Sequence, residues 1–331
     1  YNVTHPERKL HYELGYDVNV ETGSGGRMKL GRQEISDYAL FASAEYKPTG
    51  DLTIRPGLRV SYNTTYVAPI VPSINFRYKL GSKFTLRTSY AKGFRAPSLK
   101  ELYLEFVDLN HNIIGNRNLN SEQSHNCQLH LARTQAIKDK HILKLELSGF
   151  YNDIKNMISL YQISPSQYSY VNIGKYKTWG TQFNTSYSFK NFKTQIGASY
   201  IGIYNGLSKD EETISFNYSP EIKANISYKM PKANFDASLY YKYSGRLITL
   251  YETEENEIGE EFIGDFHSLD ITLSKSFRNA FTMTLGGKNL MNVTNVTGFI
   301  ANNVHAASSN AVPMNWGRSA FIKLDWKFTK K

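Results

Sequence analysis

The chain has 331 residues, 14 % of them aromatic and only 40 % hydrophobic, with one cysteine and a formal charge of +10. A chain this long buries a core without covalent staples, and the lone Cys127 excludes an internal disulfide framework or a cysteine-rich zinc site. No run reaches the roughly 18–20 apolar residues of a spanning helix, which excludes a helical membrane protein but not a β-barrel.

The basic excess is spread along the chain, without the stripe or module of a nucleic-acid binder, so no nucleic-acid partner is expected. The opening residues, from Tyr1, carry neither a charged leader nor an apolar stretch. The expectation is a chain that starts after a removed leader or partway through a longer protein.

Taken in order, fourteen strands are predicted, at 9–22, 36–48, 51–63, 70–80, 83–93, 122–134, 141–156, 170–189, 192–205, 215–230, 233–247, 263–277, 280–290 and 316–328. Their mark is a period of two. Leu143, Leu145 and Leu147 alternate with Lys144, Glu146 and Ser148. Phe235, Ala237, Leu239 and Tyr241 alternate with Asp236, Ser238 and Lys242, and Ile322, Leu324 and Trp326 alternate with Lys323 and Asp325. Such alternation gives strands one apolar and one polar face. Helical periodicity is confined to a short stretch, 98–106.

Short turns at 48–50, 81–82, 190–191, 231–232 and 278–279 take turns with longer links at 23–35, 94–121, 157–169, 206–214, 248–262 and 291–315. The link 135–140 is of middling length, and 64–69 is short among the long ones. Tight turns at one rim and long loops at the other describe an all-β, transmembrane, antiparallel up-and-down barrel. Leu, Tyr and Phe would then face lipid, while Lys, Asp and Asn face a wet lumen. A soluble β-sandwich, with its apolar face inward, is the alternative.

Three stretches carry a family resemblance: Ser89 to Tyr103 followed by Gly115 to Asn126, then Leu285 to Asn295, then Gly317 to Phe328. Together they resemble the C-terminal half of TonB-dependent outer-membrane receptors, particularly those of the Bacteroidetes type. The resemblance implies a barrel of about 22 strands closed by an N-terminal plug that grips TonB. Residues 1–331 then form the C-terminal portion, with the plug and the first strands outside them. It also implies energised import of a scarce, bulky nutrient, with no chemical step, and so no enzyme and no covalently bound cofactor.

Phe94 to Pro97 form a FRAP box, in which Pro97, lacking an N–H, ends a strand. In haem receptors of the family such a box and an NPNL box bracket a loop histidine. Here the second box reads Asn116-Arg117-Asn118-Leu119, with arginine in place of proline, and His111 lies between the two. The resemblance therefore points to a ligand site of Phe94, Arg95, Asn116, His111 and, from the last long loop, His305. His111 is the candidate haem-iron ligand, because neutral imidazole suits axial ligation.

His125 and His130, five positions apart on one strand, face opposite sides and make no metal pair. Six glutamates between Glu252 and Glu261 match no calcium loop. Tyr161, Tyr168, Tyr170, Tyr204 and Tyr251 suit either a flat ligand or a lipid interface.

The expected transported ligand is haem or another iron chelate, with cobalamin or another corrinoid as the alternative. A passive or adhesive barrel is the rival from another class. Expected partners are outer-membrane lipid and lipopolysaccharide, TonB through the plug, and a surface lipoprotein.

Overall fold

The computed structural model describes residues 2–3, 9–109, 111–137, 141–164, 167–206, 216–252, 258–277, 281–299 and 311–327. In chain order its elements begin with β1 (Asn2–Val3), β2 (Leu10–Gly23), β3 (Gln33–Tyr46), β4 (Leu52–Asn63), β5 (Val71–Leu80) and β6 (Phe84–Arg95). There follow α1 (Leu99–Tyr103), β7 (Glu105–Val107), β8 (Asn112–Ile114), β9 (Glu122–Ile137), β10 (His141–Ser164) and β11 (Gln167–Phe189). Next come β12 (Phe192–Asn205), β13 (Asn217–Met230), β14 (Phe235–Ser244), β15 (Leu247–Glu252) and β16 (Ile258–Ile263). The last are β17 (Phe266–Phe277), β18 (Phe281–Lys288), β19 (Asn295–Phe299), β20 (Ala311–Pro313) and β21 (Ser319–Trp326).

Fourteen long strands form one antiparallel meander, paired in the order β2, β3, β4, β5, β6, β9, β10, β11, β12, β13, β14, β17, β18, β21. Count and order agree with the alternation read from the sequence. Among the described residues β2 and β21 do not pair with each other, so the sheet curls without closing. The two-residue β1 lies against the free edge of β2.

The links differ from expectation in four places, the first being 94–121, which holds the short strands β7 and β8. Residues 157–164 and 167–169 are strand, not loop: β10 runs to Ser164 and β11 starts at Gln167, so that pair projects far beyond its neighbours. Segment 248–262 contains the hairpin strands β15 and β16, and 291–315 supplies β19 and β20. These four short strands make a second sheet at the long-loop rim. Single-sequence alternation did not mark them because they sit between carboxylates and small residues.

The polar face is concave. Glu45, Arg55, Asn75, Arg87, Gln128 and Ser148, from six successive strands of the meander, line one cavity of about 950 Å³. Lys144, Asn184, Gln195, Glu221 and Tyr240 line a second of about 540 Å³. Ion pairs run along this wall, such as Lys242–Glu221 at 2.7 Å and Lys323–Asp325 at 2.9 Å.

The apolar face is convex and bare, with Leu40 69 %, Ile322 67 % and Trp326 64 % exposed. That inverts a water-soluble sandwich, since leaving this much apolar surface in water forgoes about 25 cal/mol per Å². No described helix is long and apolar enough to cross a membrane, which leaves crossing by strands open.

A buried apolar cluster lies at the long-loop rim. Ile35, Leu99, Leu102, Leu119, Ile158 and Tyr170 form a buried cluster, flanked by Met28, Tyr66, Tyr103 and Ile113. It joins β3, β10 and β11 to the segment between β6 and β9, so that segment is a folded cap.

Candidate functional site

The cap starts where Pro97, almost wholly buried, ends the β6 ladder. Ser98 then opens α1 as a capping box: Glu101 N–H donates to Ser98 Oγ at 3.3 Å, and Ser98 N–H donates to Glu101 Oε2 at 2.7 Å. Five residues is too short for a helix to hold itself, so its neighbours fix it.

Arg95 does much of the fixing. Its Nε and Nη2 donate to the Glu122 carboxylate at 2.8 and 2.6 Å, and its Nη1 donates to both Glu101 oxygens at 2.9 and 3.1 Å. The planar fork thus joins the end of β6, the start of β9 and the middle of α1, the geometry in which arginine pairs are strongest. Burial alone would raise the Glu101 carboxyl, but Arg95 and Ser98 outweigh it and hold the group below the ordinary glutamate range. Glu122 also accepts from Ile158 N–H at 2.7 Å, tying β10 to the same knot.

The second box closes the other end. Asn116 N–H donates to the Glu101 carbonyl at 2.8 Å, while its Nδ2 donates to the Tyr170 carbonyl at 2.9 Å. Asn116 Oδ1 accepts from Asn118 N–H at 2.9 Å. Leu119 is buried, and the Arg117 guanidinium lies 5.8 Å from the centre of the Tyr103 ring. Asn172 extends the clasp, accepting from Asn120 N–H at 2.7 Å and donating to the Asn120 carbonyl at 3.0 Å.

Between the boxes β7 and β8 form a hairpin, and β8 adds in parallel to β11 through Ile113 and Ile114. His111 stands by its turn. Its ring stacks on Phe106 at 4.6 Å between centres and 16° between planes, and its Nδ1 lies 2.9 Å from Asp108 Oδ1. The Arg27 guanidinium also lies over Phe106, at 4.0 Å from the ring centre. About a third of the His111 side chain is exposed, 36 %.

The five sequence-derived candidates therefore separate. Arg95 and Asn116 meet at Glu101 as structural fasteners of the cap. His111 stands on the cap hairpin. Phe94 falls on the convex set, opposite Gln123 in the β6–β9 register, while Arg95 opposite Glu122 turns to the concave side. His305 lies outside the described residues.

Tyr170 packs in the cap core, and Tyr204 is buried with its ring 6.0 Å from Phe216. The acidic loop's side chains and that of Tyr251 lie outside the described residues. His125 takes the convex face beside Tyr90, whereas His130 lines the large concave cavity.

Sequence reasoning missed Glu101, Glu122, Phe106 and Asp108. One signal was legible, the Ser98-x-x-Glu101 capping box. The others act only through tertiary contact.

Residues 6–290 match the family of TonB dependent receptor-like β-barrels. The chain belongs to that family. As a TonB-dependent receptor barrel it is an outer-membrane, multi-pass β protein, and its convex apolar face is the lipid-facing one. It is 24 % identical over 232 residues to the iron-regulated outer membrane virulence protein of Vibrio cholerae. That alignment covers 65 % of this chain and 33 % of the relative, so the chain spans about a third of the relative's length.

Among solved structures, the siderophore receptor PirA of Pseudomonas aeruginosa superposes with a TM-score of 0.68 at 17 % identity, covering 98 % of this chain and 52 % of that one. The FrpB iron transporter of Neisseria meningitidis gives 0.72 at 14 % identity, covering 98 % and 53 %. These likenesses speak to the fold.

Proposed function

We propose that residues 1–331 are the C-terminal barrel portion of a receptor that binds an iron chelate at its long-loop rim and imports it. The energy would come through TonB acting on a plug domain elsewhere in the receptor. The observation that carries this is the folded cap: a rim segment fixed by Arg95, Glu122 and Asn116 offers a ligand a preorganised surface. The names of the relatives, a siderophore receptor and an iron transporter, support iron as the cargo.

Haem is the chelate that His111 suits. Asp108 lies 2.9 Å from its Nδ1, and a carboxylate behind the imidazole is the usual way a ligating histidine is oriented. Phe106 and its stacked imidazole add a flat aromatic step beside it. Proposed partners are TonB through the plug, outer-leaflet lipid and lipopolysaccharide around the wall, and a surface lipoprotein that hands the ligand on.

The test is a visible absorbance titration of the full-length receptor, in detergent, with haemin, beside a ferric catecholate and cyanocobalamin. A saturable Soret shift that weakens at least tenfold in His111→Ala is the expected result. Binding of the catecholate alone would replace haem with a siderophore. Binding of cobalamin alone would overturn iron as the cargo. Silence with all three would favour a passive or adhesive barrel.

A further inference from the structure

The concave wall near the short turns holds a row of basic side chains that no carboxylate answers. Arg77 of β5 stands directly opposite Arg87 of β6, and Arg87 directly opposite His130 of β9. All three line the concave cavity of about 950 Å³. Neighbouring strands run about 4.8 Å apart, so two guanidiniums and an imidazole start from adjacent points of one cross-strand row. Like charges directly opposite in a sheet are destabilising. The row also lies far from the cap: about 26 Å of β6 separates Arg87 from Arg95.

The acid nearby is already engaged. Glu45, the one carboxylate among the described residues that line this cavity, accepts from Lys47 Nζ at 2.7 Å and from the Arg55 guanidinium. Arg77 is poorly satisfied where it lies. Its Nη2 donates to Thr53 Oγ1 at 3.4 Å, and its Nε is buried without a hydrogen-bond partner among the described residues. Arg87 is exposed on the same wall. Burying part of a cation with a donor unpaired is costly, and an anion joining the row offsets that cost. The second concave cavity differs, because its lysines share the wall with Glu146 and with Glu221, which accepts from Lys223 and Lys242 at 2.7 Å.

We infer that Arg77 and Arg87, flanked by His130, form a second small-molecule site, which takes a compact dicarboxylate with one carboxylate on each guanidinium. A planar guanidinium pairs with a carboxylate through two parallel N–H···O bonds, and two such forks on adjacent strands match two carboxylates joined by a short chain. His130 brings a ring N–H to the flank of the row. The cavity is of the size that small-molecule sites have. In a receptor that imports an iron chelate, this is a carboxylate-binding stop remote from the cap. That role rests on the proposed import, whereas the binding does not.

The experiment is an isothermal titration of the full-length receptor, in detergent, with glutarate, beside acetate and inorganic phosphate. Glutarate should bind saturably, and both Arg87→Gln and Arg77→Gln/Arg87→Gln should weaken it at least tenfold. Arg87→Lys, which keeps the charge and loses the fork, should recover only part of the binding. Unchanged heat-modified gel mobility checks that the variants fold. No saturable glutarate binding, or undiminished binding by the Gln variants, would overturn the site. Acetate or phosphate binding as tightly as glutarate would show a simple anion site and overturn the dicarboxylate assignment. Loss of glutarate binding in His111→Ala would place the ligand at the cap and overturn the location. Haemin titration of Arg87→Gln should be unchanged, so this site and the haem reading stand or fall separately.

Discussion

Arg95 and Glu122 stand directly opposite each other where β6 meets β9, and two N–H groups of the guanidinium donate to the two carboxylate oxygens at 2.6 and 2.8 Å. The same arginine reaches Glu101 in α1, so one side chain fixes the cap to two strands. Arg95→Ala should therefore loosen the cap without unfolding the wall. With Arg95 partly exposed, the expected cost is about 1–2 kcal/mol of local stability. Faster hydrogen exchange of the amides at 99–119, against unchanged exchange in β12 and β13, is the measurement. Arg95→Lys should restore little, because an ammonium cannot span both carboxylates.

The cap should also open in acid. Glu101 titrates below the ordinary glutamate value because Arg95 and Ser98 favour its charged form despite burial. A group depressed in the folded state contributes stability that is present above its unfolded pKa of about 4.3 and is lost as pH falls through its lower folded value. Proteolysis within 99–119 should accelerate below about pH 4 in the native chain. In Glu101→Gln the cleavage should already be faster at neutral pH and should respond less to acid.

Gly115 has no room for a side chain. A Cβ there would lie 2.7 Å from the Leu102 carbonyl carbon and 2.7 Å from Tyr103 N, both backbone atoms that cannot turn aside. Gly115→Ala should cost about 1–3 kcal/mol of cap stability. Leu99→Ala, at a position only 2 % exposed, should cost about 2–5 kcal/mol by leaving a cavity. In both variants the loss should appear as cap exchange and weaker ligand capture, with barrel heat-modifiability retained.

The two faces of β10 give a direct test of the wall. Leu147 is 51 % exposed on the convex side, and its neighbour Ser148 lines the large concave cavity. Leu147→Arg should destabilise the barrel in lipid by about 2–4 kcal/mol, whereas an arginine at 148 stays in a polar wall. Folding yield into vesicles should fall for Leu147→Arg and not for Ser148→Arg.

The alternation of Leu143, Leu145 and Leu147 with Lys144, Glu146 and Ser148 determined by itself that β10 has a lipid face and a wet face, because side chains in a strand repeat every two residues. The same period, with the alternation of turns and loops, determined fourteen strands and their order. FRAP and the Asn116 box marked where the cap begins and closes. What only the tertiary structure decided was what those residues do. The Arg95–Glu122 fork spans 27 positions and Asn116 to Tyr170 spans 54, separations that carry no local periodicity. Phe94 and Arg95 are neighbours in sequence yet face opposite sides of the sheet.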